Sequence, residues 1–169
     1  DEFKQEFASK LGTPWTLGSA VFQYANDQRP TTLWYHDHTL GMTRTNVYAG
    51  PAGFYLLRDS EERRVNLPGP GPALGDAAGT RYYEIPIVIQ DRSFNADGSL
   101  FYPGSRVFFD KFRGPYIPES DMPPIWNPEF FGNTMVVNGG TWPVLDVEPR
   151  RYRFRFLNAC NSRFLILKV

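Results

Sequence analysis

The sequence is poor in the residues from which most disulfide frameworks and metal sites are built, with one cysteine and two histidines among 169 residues. The single cysteine, Cys160, excludes an internal disulfide framework. Basic and acidic side chains number 18 each, and the resulting net charge of zero removes the electrostatic case for nucleic acid as a partner. No apolar run approaches the length of a membrane span, so we predict none.

The apolar residues occur in short runs rich in β-branched and aromatic side chains, which indicates strands rather than helices. The turn formers at 26–30 predict a hairpin between the first two of these strands. Only residues 1–11 have a weak helical pattern, and the proline-rich, aperiodic stretch 103–133 is typical of a long loop. The predicted strands lie at 19–25, 31–38, 53–59, 82–92 and 151–159, with a further hairpin over 133–149.

The last of these strands alternates strictly between aromatic residues and arginines. Successive side chains of a strand point to opposite faces, so we expect the aromatic face to meet the core and the arginine face to meet water. The aromatic positions are Tyr152, Phe154 and Phe156, and the arginine positions are Arg151, Arg153 and Arg155.

Many short strands separated by turn formers favour an all-β fold built from antiparallel β-sandwiches. Proline and glycine are dense at 66–79, which is typical of a linker between domains. We therefore predict two partial domains, at 1–60 and 81–169, joined by a Pro/Gly-rich linker at 61–80.

The two histidines, His36 and His38, lie one residue apart on a predicted strand. At this spacing both rings project from one face, roughly 6.5 to 7 Å apart. Imidazole binds zinc, copper, iron and nickel, and such a pair can hold one ion or give one ligand to each of two neighbouring ions. Spacing alone does not choose between these arrangements and a pair of ordinary packed or surface histidines.

The residues around the pair carry a longer similarity. The segment TLWYHDHTLGMTRTNVYAGPAGFYLLRD at 32–59 closely resembles the part of multicopper oxidases that holds their second His-x-His motif, in particular the bacterial spore-coat-type laccases and the bilirubin oxidases. Residues 91–103 and 132–163 extend the resemblance. It implies cupredoxin-like Greek-key β-sandwiches, with the end of a first domain followed by the start of a second.

The resemblance also implies a role for the histidines. His36 and His38 match positions that ligate the two coppers of a type 3 pair, one each, within a trinuclear cluster. Such oxidases couple one-electron oxidation of phenols, related aromatics or metal ions to four-electron reduction of dioxygen to water. The implied partners are dioxygen, a small reducing substrate and the remaining cupredoxin domains. No catalytic side chain is predicted beyond the ligands, and a secreted, periplasmic or spore-coat location is suggested by the resemblance alone.

The family uses four His-x-His motifs and a type 1 copper cysteine flanked by histidines, whereas this sequence has one motif. The sequence is therefore expected to be one piece of a three-domain oxidase, inactive by itself. Cys160 has no histidine near it in the sequence, so it is predicted to be a buried small residue, and Asp37 to have a structural role. Two alternatives stay open: a metal-free scaffold or binding protein of cupredoxin fold, and a mononuclear, cupin-like metal site.

Overall fold

A computed structural model describes residues 2–12, 17–18, 22–103, 111 and 129–168. Short strands in two sheets dominate these residues, which confirms the all-β class. No helix in the described part of the chain is long and apolar enough for a membrane crossing. The elements are α1 (Glu2–Leu11), β1 (Thr31–His36), α2 (Thr43–Ala49), β2 (Ala52–Leu57), α3 (Ser60–Arg64), β3 (Glu84–Arg92), β4 (Thr134–Val137), β5 (Gly140–Thr141) and β6 (Arg153–Asn158).

The first sheet pairs β1 with β2 in antiparallel register, from Thr31 opposite Leu57 to His36 opposite Ala52. The predicted hairpin between 19–25 and 31–38 is wrong, because residues 22–25 form no strand; residues 19–21 lie outside the described part. In the described part of the chain β1 pairs instead with β2, which returns antiparallel to it after the chain turns through α2.

Helix α2 was not predicted, because its threonines, valine and asparagine have weak helix propensity. Tertiary contacts hold it instead. Tyr48, which is 3% exposed, donates a hydrogen bond to the Phe101 carbonyl at 2.7 Å and accepts one from the Ser93 amide at 2.8 Å. The helix is thereby tied to the residues that follow β3.

The second sheet has the strand order β5-β4-β3-β6. The strand predicted at 82–92 and the hairpin that begins near 133 are both confirmed, although the second arm of the hairpin is only two residues long. The expectation of antiparallel pairing is wrong for β6, which runs parallel to β3 because the chain crosses over between them. Most of the loop predicted at 103–133 lies outside the described residues.

The predicted faces of β6 are only partly correct, because Arg155 is 8% exposed while Phe156 is 45% exposed. The reason is a set of ion pairs that we name the Glu84 cluster. In it, Arg58 and Arg155 each place a nitrogen 2.6 Å from Glu84 Oε1, and Arg153 lies 2.7 Å from Glu62. Arg155 also donates to the Thr32 hydroxyl, so the cluster links both sheets. Its members are Arg58, Glu62, Glu84, Arg153 and Arg155.

Candidate metal centre

The two histidine rings lie side by side at the end of β1. His36 is the last residue of the strand, and His38 follows it by two positions. Their ring centroids are 5.9 Å apart, and the ring planes differ by 27°. Both rings therefore lie on the same side of the chain, as the spacing predicts.

The orientation of the His36 ring is fixed from two directions. Its Nδ1 lies 2.7 Å from the backbone carbonyl oxygen of Asp37, and the Trp34 ring packs against it with centroids 4.5 Å apart. A carbonyl oxygen can only accept, so Nδ1–H is the donor and Nε2 keeps its lone pair. An imidazole held in this way is ready to bind a metal through Nε2.

The side chain of Asp37 holds the turn that carries His38. Its carboxylate accepts hydrogen bonds from the Thr39 amide at 3.0 Å, from the Thr39 hydroxyl at 2.8 Å and from Asn46 at 3.1 Å. The bonds from Thr39 lower the pKa of Asp37, so this carboxylate is ionised at neutral pH. These contacts agree with the structural role predicted for Asp37.

The rings are accessible rather than covered by hydrocarbon. His38 is exposed and His36 is half-buried. Both line an open cavity of about 820 Å³, together with Trp34, Tyr35 and Tyr55. No group of three or more His, Cys, Asp or Glu side chains that could hold a metal ion is found among the described residues. The fit to a copper site therefore rests on the donor chemistry of two neighbouring imidazoles, of which His36 is preoriented, and copper accepts such ligands readily.

The chain is similar to curated oxidases over most of its length, although no family model matches it. A laccase of Bacillus stratosphericus is 48% identical over 145 residues, which cover 85% of this chain and 25% of that protein. A laccase of Bacillus subtilis (strain 168) is 44% identical over 147 residues, covering 85% of this chain and 24% of the relative. The crystal structure of the McoA multicopper oxidase from Aquifex aeolicus matches with a TM-score of 0.53 and 32% identity, over 78% of this chain and 23% of that one.

The chain belongs to the multicopper oxidase family. It spans about a quarter of the length of the curated relatives it matches. A multicopper oxidase segment of this extent holds the His-x-His pair described above, whereas Cys160 does not take part in the site. The Cys160 thiol is half-buried, burial raises its pKa to about 11, and its Sγ lies 3.7 Å from the Ile89 carbonyl oxygen. It is therefore a packed thiol in its protonated form, although it is less buried than predicted.

Two charged residues of this multicopper oxidase chain were not singled out from the sequence. Arg92 is buried beside helix α2, and Glu84 is the centre of an ion-pair cluster. A charged residue inside a run of strand residues, as in EIPIVIQDR, is the signal that would have pointed to them.

Proposed function

We propose that this chain supplies two ligands to the type 3 copper pair of a trinuclear cluster, His36 to one copper and His38 to the other. The protein to which it belongs would couple one-electron oxidation of phenols, other aromatics or metal ions to four-electron reduction of dioxygen to water. The observation that carries the proposal is the pair of same-side imidazoles with centroids 5.9 Å apart.

The ring geometry leaves room for one ion on each ring. The centroids lie 5.9 Å apart and the ring planes differ by 27°, so each imidazole can serve its own ion. The similarity to multicopper oxidases, rather than this spacing, supports two neighbouring ions over a single shared one.

The residues of this chain position and orient the ligands. The Asp37 carbonyl fixes the His36 tautomer, the Asp37 carboxylate holds the turn that carries His38, and Trp34 packs against the first ring. Bound copper supplies the electron-transfer and dioxygen chemistry. Since two imidazoles do not fill the coordination of either ion, the proposal requires further ligands from polypeptide outside the described residues.

The proposal includes a domain assignment. Residues 1–60 would be the end of a first cupredoxin domain, 61–80 a linker, and 81–169 the start of a second domain. In support, the β1-β2 sheet precedes the Pro/Gly-rich stretch and the four-stranded sheet follows it. The remaining cupredoxin domains, dioxygen and a small reducing substrate are the proposed partners.

The copper content of the protein made from the complete reading frame tests this function. We expect His36→Ala and His38→Ala each to lower the copper-to-protein ratio and to reduce oxidase activity by at least about 100-fold, since weaker changes around metal ligands already cost 10- to 100-fold. Val144→Ala, a change of an exposed residue that does not line the cavity around the rings, is the control and should keep both the copper content and the activity. A wild-type protein without copper would favour a scaffold, and histidine variants that keep their full copper content would refute the assignment.

A further inference from the structure

A second cavity, of about 430 Å³, lies between helix α2, the end of β3, the residues that follow β6 and the end of β1, where Trp34 and His36 form part of its wall. Much of its wall is aromatic. The rings of Tyr48, Tyr102 and Phe130 form a cluster with centroids 4.9 to 5.3 Å apart. A cavity of this size with mostly apolar walls is typical of a small-molecule site.

The wall of this cavity also contains a buried cation. Arg92 is 6% exposed, and its guanidinium lies over the Tyr48 ring at 4.8 Å. Among the described residues its only hydrogen bond runs from Nη1 to the Asp91 carbonyl at 3.2 Å, and it forms no ion pair with them. A buried charge without an anionic partner is costly, and burial lowers the pKa of this guanidinium.

The nearest carboxylate in sequence, Asp91, acts to raise the pKa of Arg92 through its charge, but it forms its ion pair with Arg163. Asp91 is fully buried, and its oxygens accept hydrogen bonds from the Gly132 amide at 2.7 Å, the Asn161 amide at 2.9 Å and Arg163 Nε at 3.3 Å. The Asp91 carboxylate therefore accepts its hydrogen bonds from these donors rather than from Arg92. Among the residues that the structure describes, the Arg92 guanidinium has N–H donors left for a further acceptor.

A second donor lines the same cavity. The hydroxyl of Tyr102 is buried and has no hydrogen-bond partner among the residues the structure describes. Buried polar groups are nearly always hydrogen-bonded, so an unpartnered hydroxyl in the same cavity wall as a guanidinium indicates a bound acceptor.

We propose that this cavity binds a small organic carboxylate, with the carboxylate held by Arg92 and Tyr102 and the hydrocarbon part packed on the aromatic cluster. The planar guanidinium matches a carboxylate through two parallel hydrogen bonds. The apolar wall favours an organic anion over a strongly hydrated inorganic one, because burial of its hydrocarbon adds to the binding free energy. His36 forms part of the cavity wall, but the binding groups Arg92 and Tyr102 are not proposed copper ligands, so carboxylate binding is tested separately from the copper assignment.

Calorimetric titration with benzoate tests the proposal. The copper-loaded protein from the complete reading frame is used first, and the titration is repeated after metal removal, so that ligation of benzoate to copper is excluded. We expect binding in both forms and a loss of affinity of at least about tenfold in Arg92→Leu, because a charge-assisted hydrogen bond is removed. Arg150→Leu is the matched control, since Arg150 also stacks on a tyrosine, at 3.4 Å from the Tyr83 ring, but is exposed and lies outside the cavity.

A second arm does not depend on the folding of a buried variant. Crystals of the wild-type protein soaked in 4-bromobenzoate should show an anomalous bromine peak in the cavity, with the carboxylate on Arg92. Tyr102→Phe, which removes one hydroxyl, should weaken binding by about three- to tenfold. Unchanged affinity in Arg92→Leu, an empty cavity, or a carboxylate side chain of the protein itself seated on Arg92 would each overturn the proposal.

Discussion

The Glu84 cluster makes the most quantitative prediction, for the substitution Glu84→Gln. Burial acts to raise the pKa of Glu84, but the hydrogen bonds and charges of Arg58 and Arg155 outweigh it and lower the pKa from 4.5 to about 2. That difference corresponds to about 3 kcal/mol of stability at neutral pH. Since 39% of the Arg58 side chain is exposed, solvent screens part of its charge and this value is an upper one.

The direction of the pH dependence follows from the lowered pKa. The contribution of Glu84 is complete above the unfolded-state pKa of 4.5 and is lost as the pH falls toward about 2. By pH 3 about 2 kcal/mol of it should be gone. Glu84→Gln should therefore lower the free energy of unfolding at pH 7 by about 3 kcal/mol, and that free energy should change less between pH 7 and pH 3 than in the wild type.

Urea unfolding of the metal-free protein from the complete reading frame, followed by tryptophan fluorescence at several pH values, measures both effects. Glu61→Gln is the control, because Glu61 is 66% exposed and its partner Arg64 is 74% exposed. Glu61→Gln should lower the free energy of unfolding by less than about 1 kcal/mol. The reasoning fails if Glu84→Gln behaves like this control at pH 7 or has the same pH dependence as the wild type.

Two further predictions concern how helix α2 and the end of β3 are held. Tyr48→Phe should lower the free energy of unfolding by about 2 kcal/mol, because it removes the buried hydrogen bonds between the Tyr48 hydroxyl and the Ser93 amide and Phe101 carbonyl. Tyr55→Phe, which removes an exposed hydrogen bond to Asn26, should lower it by less than about 1 kcal/mol, and equal losses would contradict this. Gly132→Ala should cost about 1–3 kcal/mol in the same assay. A Cβ at that position would lie 2.5 Å from the backbone nitrogen of Arg92. Gly140→Ala is the control, because a Cβ at Gly140 meets nothing closer than 3.4 Å. An equal loss of unfolding free energy in the two variants would refute the explanation.

The sequence predicted the features that depend on local pattern. The run EIPIVIQDR is apolar and β-branched enough to predict β3, and the His-x-His spacing alone predicts that two rings share a side. The first follows from residue types typical of strands, and the second from a period of two that continues to His38, two residues beyond the end of β1.

The features that were missed depend on residues far apart in the chain. Arg155 is buried because Glu84, 71 positions earlier in the chain, lies beside it, whereas alternation alone assigns an arginine to the solvent face. Helix α2 forms against its own propensity because Tyr48 bonds to residues 45 and 53 positions away. Contacts between residues this far apart in the sequence cannot be predicted from a local pattern.

Diffraction at the copper absorption edge, on crystals of the protein from the complete reading frame, tests the central proposal most directly. The account predicts two neighbouring anomalous peaks, one roughly 2 Å from a nitrogen of His36 and the other at the same distance from His38, as for other metal–imidazole bonds. Absence of metal at both rings, or a single ion shared by both, would contradict it.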